Sequence, residues 1–272
     1  MDFQEGYFGD ISHTDYQAIE AIRASYLKAM QNRPRKANFR YQAGLDRVDS
    51  KALRLGRALH SYLLTPDDFA KECVVEPPGV GEKGKSRSSG WYQSWADSVP
   101  DDYTVIPRED TSDGPGFASF PAIKKELEDH PAALRYLSGG YSEVTIMWVD
   151  SFGLNCKCRL DHYVGQVIGD YKSTRDASPR SFRRDFFRLG YDQQAAFYLE
   201  GARAVGLPVE VFAFVAQEKE APFEVAVYLT SDEVIAAGNE KNRLIREMIV
   251  NSSYPLLNDG EEVWIENEKV NT

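Results

Sequence analysis

The chain is poor in cysteine, has no long apolar run and carries no surplus of positive charge, and each shortage removes a class of protein. Cys73, Cys156 and Cys158 are the only cysteines among 272 residues. An odd number without a secretory leader fits reduced thiols rather than a disulfide scaffold, and three thiols cannot supply a four-cysteine iron–sulfur site. Cys156 and Cys158 alternate with Lys157 and Arg159 at strand period, a poor spacing for a zinc knuckle. No stretch approaches the roughly 18 apolar residues that mark a membrane helix. The opening MDFQEGYFGDISHTDY lacks a basic segment followed by an apolar one, so no signal peptide is expected. No Walker motif occurs, so a helicase activity would belong to a separate protein. The net charge of −10 argues against a protein that coats nucleic acid broadly.

What is present is one core's worth of apolar residues and a local reversal of charge. Hydrophobic residues make up 42% of the chain, enough for one large core. Between Lys157 and Arg188 stand eight basic and four acidic residues, a basic zone on an acidic body. Such a zone suits a confined anionic substrate.

Apolar spacing predicts helices over 14–32 and 50–64, the second stopped by Thr65-Pro66, and another over 119–138. Residues 78–118 are rich in Gly, Pro, Ser and Asp and read as long loops around the short strand YTVIP. Strands are expected at 143–150, 155–164 and 166–173. An arginine-rich helix from Pro179 to Val205 follows, then strands at 209–217 and 223–230. Thr230-Ser-Asp-Glu233 has the form of a capping box for a final helix to about Val250. The expected architecture is a single mixed α/β domain, with a helical part at 1–75, a loop-rich segment at 76–118 and an α/β core at 119–272.

The stretch RLDHYVGQVIGDYKS, Arg159 to Ser173, places two aspartates and a lysine in a pair of short strands. With a two-residue turn at Gly165-Gln166, Asp161 falls directly opposite Asp170. Facing carboxylates repel, and a hard divalent cation between them reverses the sign. Lys172 leaves the same face as Asp170, where an ammonium can orient a water or steady phosphate charge. A solvated hairpin edge is the bland alternative, but the flanks LDHYV and QVIGDY are too apolar for a fully exposed ribbon. Glu143 supplies a third carboxylate if its strand is adjacent.

Asp161 followed by Asp170-Tyr171-Lys172 has the form of the PD-(D/E)-x-K nuclease motif in its D-x-K variant. Gly56-Arg-Ala-Leu-His60 resembles the G-x-x-x-H element of the RecB-type branch, and Gln194-Ala-Ala-Phe-Tyr198 its Q-x-x-x-Y element. More closely, LGRALHSYLLTPDDF, SEVTIMWVDSFGLNCKCRLD and GDYKSTRDASPRSFRRDFFRLGYDQQAAFYLEG resemble the phage and prophage RecE exonucleases, over about residues 8 to 265.

The resemblance implies a restriction-endonuclease-like core, a central mixed sheet flanked by helices, with an N-terminal helical extension. It implies Mg²⁺, with Mn²⁺ as a substitute, held by Asp161, Asp170 and the Tyr171 carbonyl, and completed or flanked by His60 and Glu143. Lys172 positions the attacking water, and Gln194 and Tyr198 fix the lysine and the DNA end. Gln193 is the rival of Gln194, but only Gln194 has four-residue spacing to Tyr198. Arg180, Arg183, Arg184 and Arg188, at helical spacing, are candidates for DNA-backbone contact, with a solvated helix face as the alternative. The implied activity is 5′-to-3′ digestion of one strand of linear duplex DNA, leaving 3′ overhangs for phage-type recombination. The implied partners are DNA ends, a single-strand annealing protein and further copies of the chain in a ring. The implied setting is the cytoplasm of a bacterial host. An endonuclease or helicase-associated nuclease on the same core, and an inactive DNA-binding module, are the competing readings.

Overall fold

The computed structural model describes residues 3–9, 11–45, 50–80, 86–100, 103–112 and 114–255. The residues between these stretches, which fall partly in the loop-rich segment, and the end of the expected core from 256 lie outside the described residues. The strands are β1 (Gly6–Phe8), β2 (Cys73–Val75), β3 (Thr104–Ile106), β4 (Tyr141–Val149), β5 (Asn155–Val164), β6 (Val167–Thr174), β7 (Val211–Glu218) and β8 (Val225–Leu229). Six of them form one sheet in the order β1-β4-β5-β6-β7-β8, and β2 pairs with β3 in a small parallel ribbon. Only β6 and β7 run parallel in the large sheet, the other neighbours being antiparallel. A parallel pair needs a long crossover, and the arginine-rich helical segment provides it. The chain is therefore a mixed α/β protein.

The helices are α1 (His13–Ala18), α2 (Ala24–Asn32), α3 (Pro34–Gln42), α4 (Lys51–Leu64), α5 (Pro66–Glu72), α6 (Gly90–Ala96), α7 (Phe120–Glu128), α8 (Pro131–Leu137), α9 (Pro179–Arg188), α10 (Tyr191–Ala204) and α11 (Asp232–Val250). None is long and apolar enough to cross a membrane. One apolar cluster joins α2, α9, α10 and α11 to the sheet through Leu27, Trp148, Phe197 and Phe214, and a second joins α4, α7 and α8 through Leu59, Phe120, Leu137 and Val215. The sheet is thus covered on both faces, and β5 is apolar on one of them through Cys156, Cys158 and Leu160 while Lys157, Arg159 and Asp161 alternate with these.

Three expected helices are broken. The 14–32 helix is two, because Ile22 leaves helical geometry to bridge β5: its amide donates to Asn155 O at 2.7 Å and its carbonyl accepts from Lys157 N at 2.8 Å. The 119–138 helix restarts at Pro131, whose fixed φ suits a first turn. The 179–205 helix turns at Gly190, which adopts φ 66, a conformation glycine takes without steric cost. The loop-rich segment also contains α6, whose N-terminus is capped by Ser89. The expected capping box does not form. Ser231 is the N-cap, without a side-chain cap bond, and the Thr230 hydroxyl donates to Phe212 O at 3.2 Å instead.

Lys157 and Arg159 explain themselves as clamps on the N-terminal segment. The buried Lys157 ammonium donates to Tyr16 O and Ile19 O, both at 2.6 Å, and so caps the C-terminal carbonyls of α1. Arg159 donates to Ile11 O at 2.7 Å.

Candidate active site

The site forms where β5 and β6 separate. Their ladder runs Val164↔Val167, Tyr163↔Ile168, His162↔Gly169 and stops. Asp161 and Asp170 are the next residues in that register, so the expected facing pair becomes the first pair beyond the last rung. The Tyr171 amide donates to Asp161 Oδ2 at 2.9 Å. Gly169 is needed for the same reason: a Cβ there would lie 2.0 Å from Tyr136 O, so only glycine lets α8 sit against the strand just before Asp170.

Asp170 is fully buried and has two attendants. Its Oδ1 pairs with the Lys172 ammonium, and its Oδ2 accepts from Gln194 Nε2 at 2.6 Å. Gln194 Oε1 in turn accepts from Lys28 Nζ at 3.3 Å. Lys28 donates only, so it takes the amide oxygen and turns the NH₂ toward the carboxylate. Lys172 also lies 5.1 Å from the Tyr191 ring centre and 5.8 Å from that of Phe214, a cation–π seat that fixes its direction. Gln193 points elsewhere, donating to Asn242 Oδ1 at 3.1 Å. Tyr198 lies one turn beyond Gln194 and packs edge-on against Phe212, with no hydrogen bond to the site carboxylates among the described residues.

The second half of the site comes from α4 and β4. The Ser50 cap and the apolar face of Leu55, Ala58 and Leu59 seat α4 on the sheet, which brings His60 over the fork. Its Nδ1 lies 3.3 Å from Glu143 Oε1 and its Nε2 3.0 Å from Asp161 Oδ2. Glu143 has φ 56, a left-handed conformation that costs a non-glycine residue roughly 1–3 kcal/mol and marks functional positions. Arg159 Nη1 stands 3.5 Å from Glu143 Oε2, linking the site to the N-terminal clamp.

Burial and neighbours push these groups apart. Burial raises Asp170 to about 6 against the pull of Lys172, and Asp161 adds to the rise. Asp161 moves down: burial opposes ionisation, but His60 outweighs it. His60 rises to about 9 because Asp161 and Glu143 overcome the burial penalty. Glu143 rises, chiefly through burial. Lys28 falls to about 8, through burial and then repulsion by Lys172. Lys172 itself rises, because Asp170 and Asp161 overcome its burial.

His60, Glu143 and Asp161 offer ligand atoms all within 4.8 Å of one another. The His60 Nε2 is buried, 3.0 Å from Asp161 Oδ2. Two carboxylates and an imidazole fit a divalent cation. Asp170 stands beside this set, held by Lys172 and Gln194, and Tyr171 serves it through its amide.

Arg180, Arg184 and Arg188 line one groove beyond the end of β6, and Arg183 does not. Lys28 and Tyr191 were not legible as site residues. For Lys28 a signal exists: it shares the buried stripe of Ala24 and Leu27 on α2, where a lysine is costly without a purpose.

Comparison with known proteins bears on the same geometry. The model of a "PDDEXK-like domain of unknown function (DUF3799)" matches residues 23–250. A crystal structure described as "Putative exonuclease", from Eubacterium rectale, superimposes with a TM-score of 0.59 at 16% identity, covering 89% of this chain and 87% of that one. No curated protein matches the chain.

Proposed function

The chain belongs to this family of PDDEXK-like domains, and from that premise we propose that it is a metal-dependent exodeoxyribonuclease that digests one strand of linear duplex DNA from its end. The observation that carries the reading is the convergence of His60, Glu143 and Asp161 within 4.8 Å, beside a lysine–carboxylate pair at the sheet fork. Mg²⁺ is the cation the donor chemistry favours, since two of the three side chains offer hard carboxylate oxygens.

When bound, such an ion polarises the phosphate and lowers the pKa of a coordinated water. His60, Glu143 and Asp161 would hold it, with Asp170 at its edge. Lys172 remains protonated at neutral pH, so it acts as a charge: it orients the attacking water and offsets negative charge building on the phosphate. Asp170 fixes the direction of Lys172, and Gln194 fixes Asp170. Tyr171 and Arg159 keep Asp161 and Glu143 aimed at the same point. Digestion 5′ to 3′, release of 3′ overhangs, an annealing partner and a ring of copies rest on the sequence resemblance to the RecE exonucleases.

The test uses end-labelled linear duplex and covalently closed circles, with Mg²⁺, with Mn²⁺ and with chelator. Mononucleotides from linear DNA alone, and only with metal, support the reading. Nicked circles would establish an endonuclease, and DNA binding without hydrolysis under either metal would establish a binding module.

A further inference from the structure

Past Thr174 the chain leaves β6 and enters a groove of about 730 Å³ whose walls are cationic. Arg175 lines it, three residues beyond Lys172. Arg180, Arg184 and Arg188 enter from one face of α9 at four-residue intervals, and Lys219 completes the lining. The last contact is built into the sheet, because the Lys219 amide donates to Thr174 O at 3.0 Å.

The groove is not internally neutral. Asp185 engages Arg188 at 3.0 Å and Arg184 at 3.6 Å, and Arg184 also donates to Ser181 Oγ at 3.1 Å. Asp176 is occupied locally, accepting from Ser178 N at 2.8 Å. Arg175, Arg180 and Lys219 have no carboxylate within ion-pair distance among the described residues. Three unpaired cations around one cleft, on a chain of net charge −10, mark a place where an anion is expected rather than a generally basic surface.

Its position says which anion. Three residues of extended strand separate Lys172 from Arg175, roughly 10 Å. The groove therefore lies within a few nucleotides' reach of Lys172 along a bound strand. We propose that this groove is a remote subsite that holds the phosphodiester backbone of the substrate strand through Arg175, Arg180 and Lys219, and so makes the enzyme prefer polymers over short fragments. This rests on the nuclease reading above. The groove is polar, and its cations are spread along a cleft instead of being gathered at a point, which fits a run of phosphates better than one small anion.

The experiment compares kcat/KM on a thirty-nucleotide duplex with kcat/KM on a dinucleotide, and follows the salt dependence on the duplex. Arg175→Ala, Arg180→Ala and Lys219→Ala should each lower the duplex-to-dinucleotide ratio severalfold and reduce the slope of log K against log salt by about one. Arg183→Ala removes an exposed charge from the same helix outside the groove, and should leave the ratio and the slope as they are. A ratio unmoved by the three groove substitutions overturns the subsite while leaving the nuclease intact. An equal fall with Arg183→Ala also overturns it, since the effect would then be bulk charge. If the unaltered protein hydrolyses neither substrate with any metal, the nuclease reading itself fails. Circular dichroism of each variant separates these outcomes from misfolding.

Discussion

Glu143 stands opposite Asp161 in the β4–β5 register, and it is the one position between Tyr141 and Val149 at which that ladder skips a rung. The skip coincides with the left-handed φ of 56, which turns the carboxylate toward His60. Strain at this residue is measurable. Glu143→Gly should be more stable than Glu143→Ala by about 1 kcal/mol, because only glycine adopts the conformation freely. Both variants should bind Mn²⁺ more weakly than the unaltered chain. Chemical denaturation gives the first comparison and calorimetric titration the second. Equal stabilities would show that the backbone relaxes once the carboxylate is gone.

His60 makes the metal-free protein sensitive to alkali. Its pKa of about 9 lies above the ordinary imidazole value, so its pairing with Asp161 and Glu143 contributes fully below pH 6.5. That contribution is lost as pH rises through 9. The melting temperature without metal should therefore fall across this window, and His60→Gln should flatten the fall. Stabilisation by added Mn²⁺ should grow over the same range, because the ion and the imidazole proton compete for the same groups.

Lys28 carries the opposite sign. Its pKa is depressed to about 8, so burying the charged amine costs stability at and below that pH. The cost shrinks as pH rises toward the unfolded value near 10.5. Lys28→Met should raise the melting temperature at pH 7, by an amount worth roughly 3 kcal/mol at most, and the gain should shrink steadily as pH rises through 8 toward 10.5. The same variant should lower kcat, because Gln194 loses the donor that orients its amide.

Lys172→Met should lower kcat at least ~10²-fold while DNA-end binding survives. It also leaves the buried Asp170 without its cation, a change that destabilises strongly when the remaining group stays ionised. The double variant Lys172→Met/Asp170→Asn should accordingly be more stable than Lys172→Met alone. Thermal melts of the pair decide it, and a double variant less stable than the single would show Asp170 to be neutral already.

The hairpin and its register were legible because strand alternation and a two-residue turn leave little freedom. His60 and Gln194 were legible from motif spacing. Tyr191 and Arg159 reach the site through contacts between residues far apart in sequence, and no local spacing encodes them, whereas Lys28 left only the trace of a lysine on the buried stripe of α2. The break at Ile22 is of the same kind: residues 14–32 have helical periodicity throughout, but a vacant stretch of β5 offered Ile22 two backbone hydrogen bonds that a helix could not match. Arg183 shows the converse, since helical spacing grouped it with neighbours that point into a groove it does not line.

The fork between β5 and β6 has a mechanical consequence. In an unbroken ladder the gap between Asp161 and Asp170 would be set by the hydrogen bonds on either side, and could widen only by breaking them. Beyond His162↔Gly169 no rung spans the gap. The two carboxylates are therefore separated by a gap that one side-chain hydrogen bond, from the Tyr171 amide to Asp161 Oδ2, spans in place of a ladder. The sheet keeps its full ladder where β6 rests on β7 and gives it up at the strand boundary that carries the candidate site.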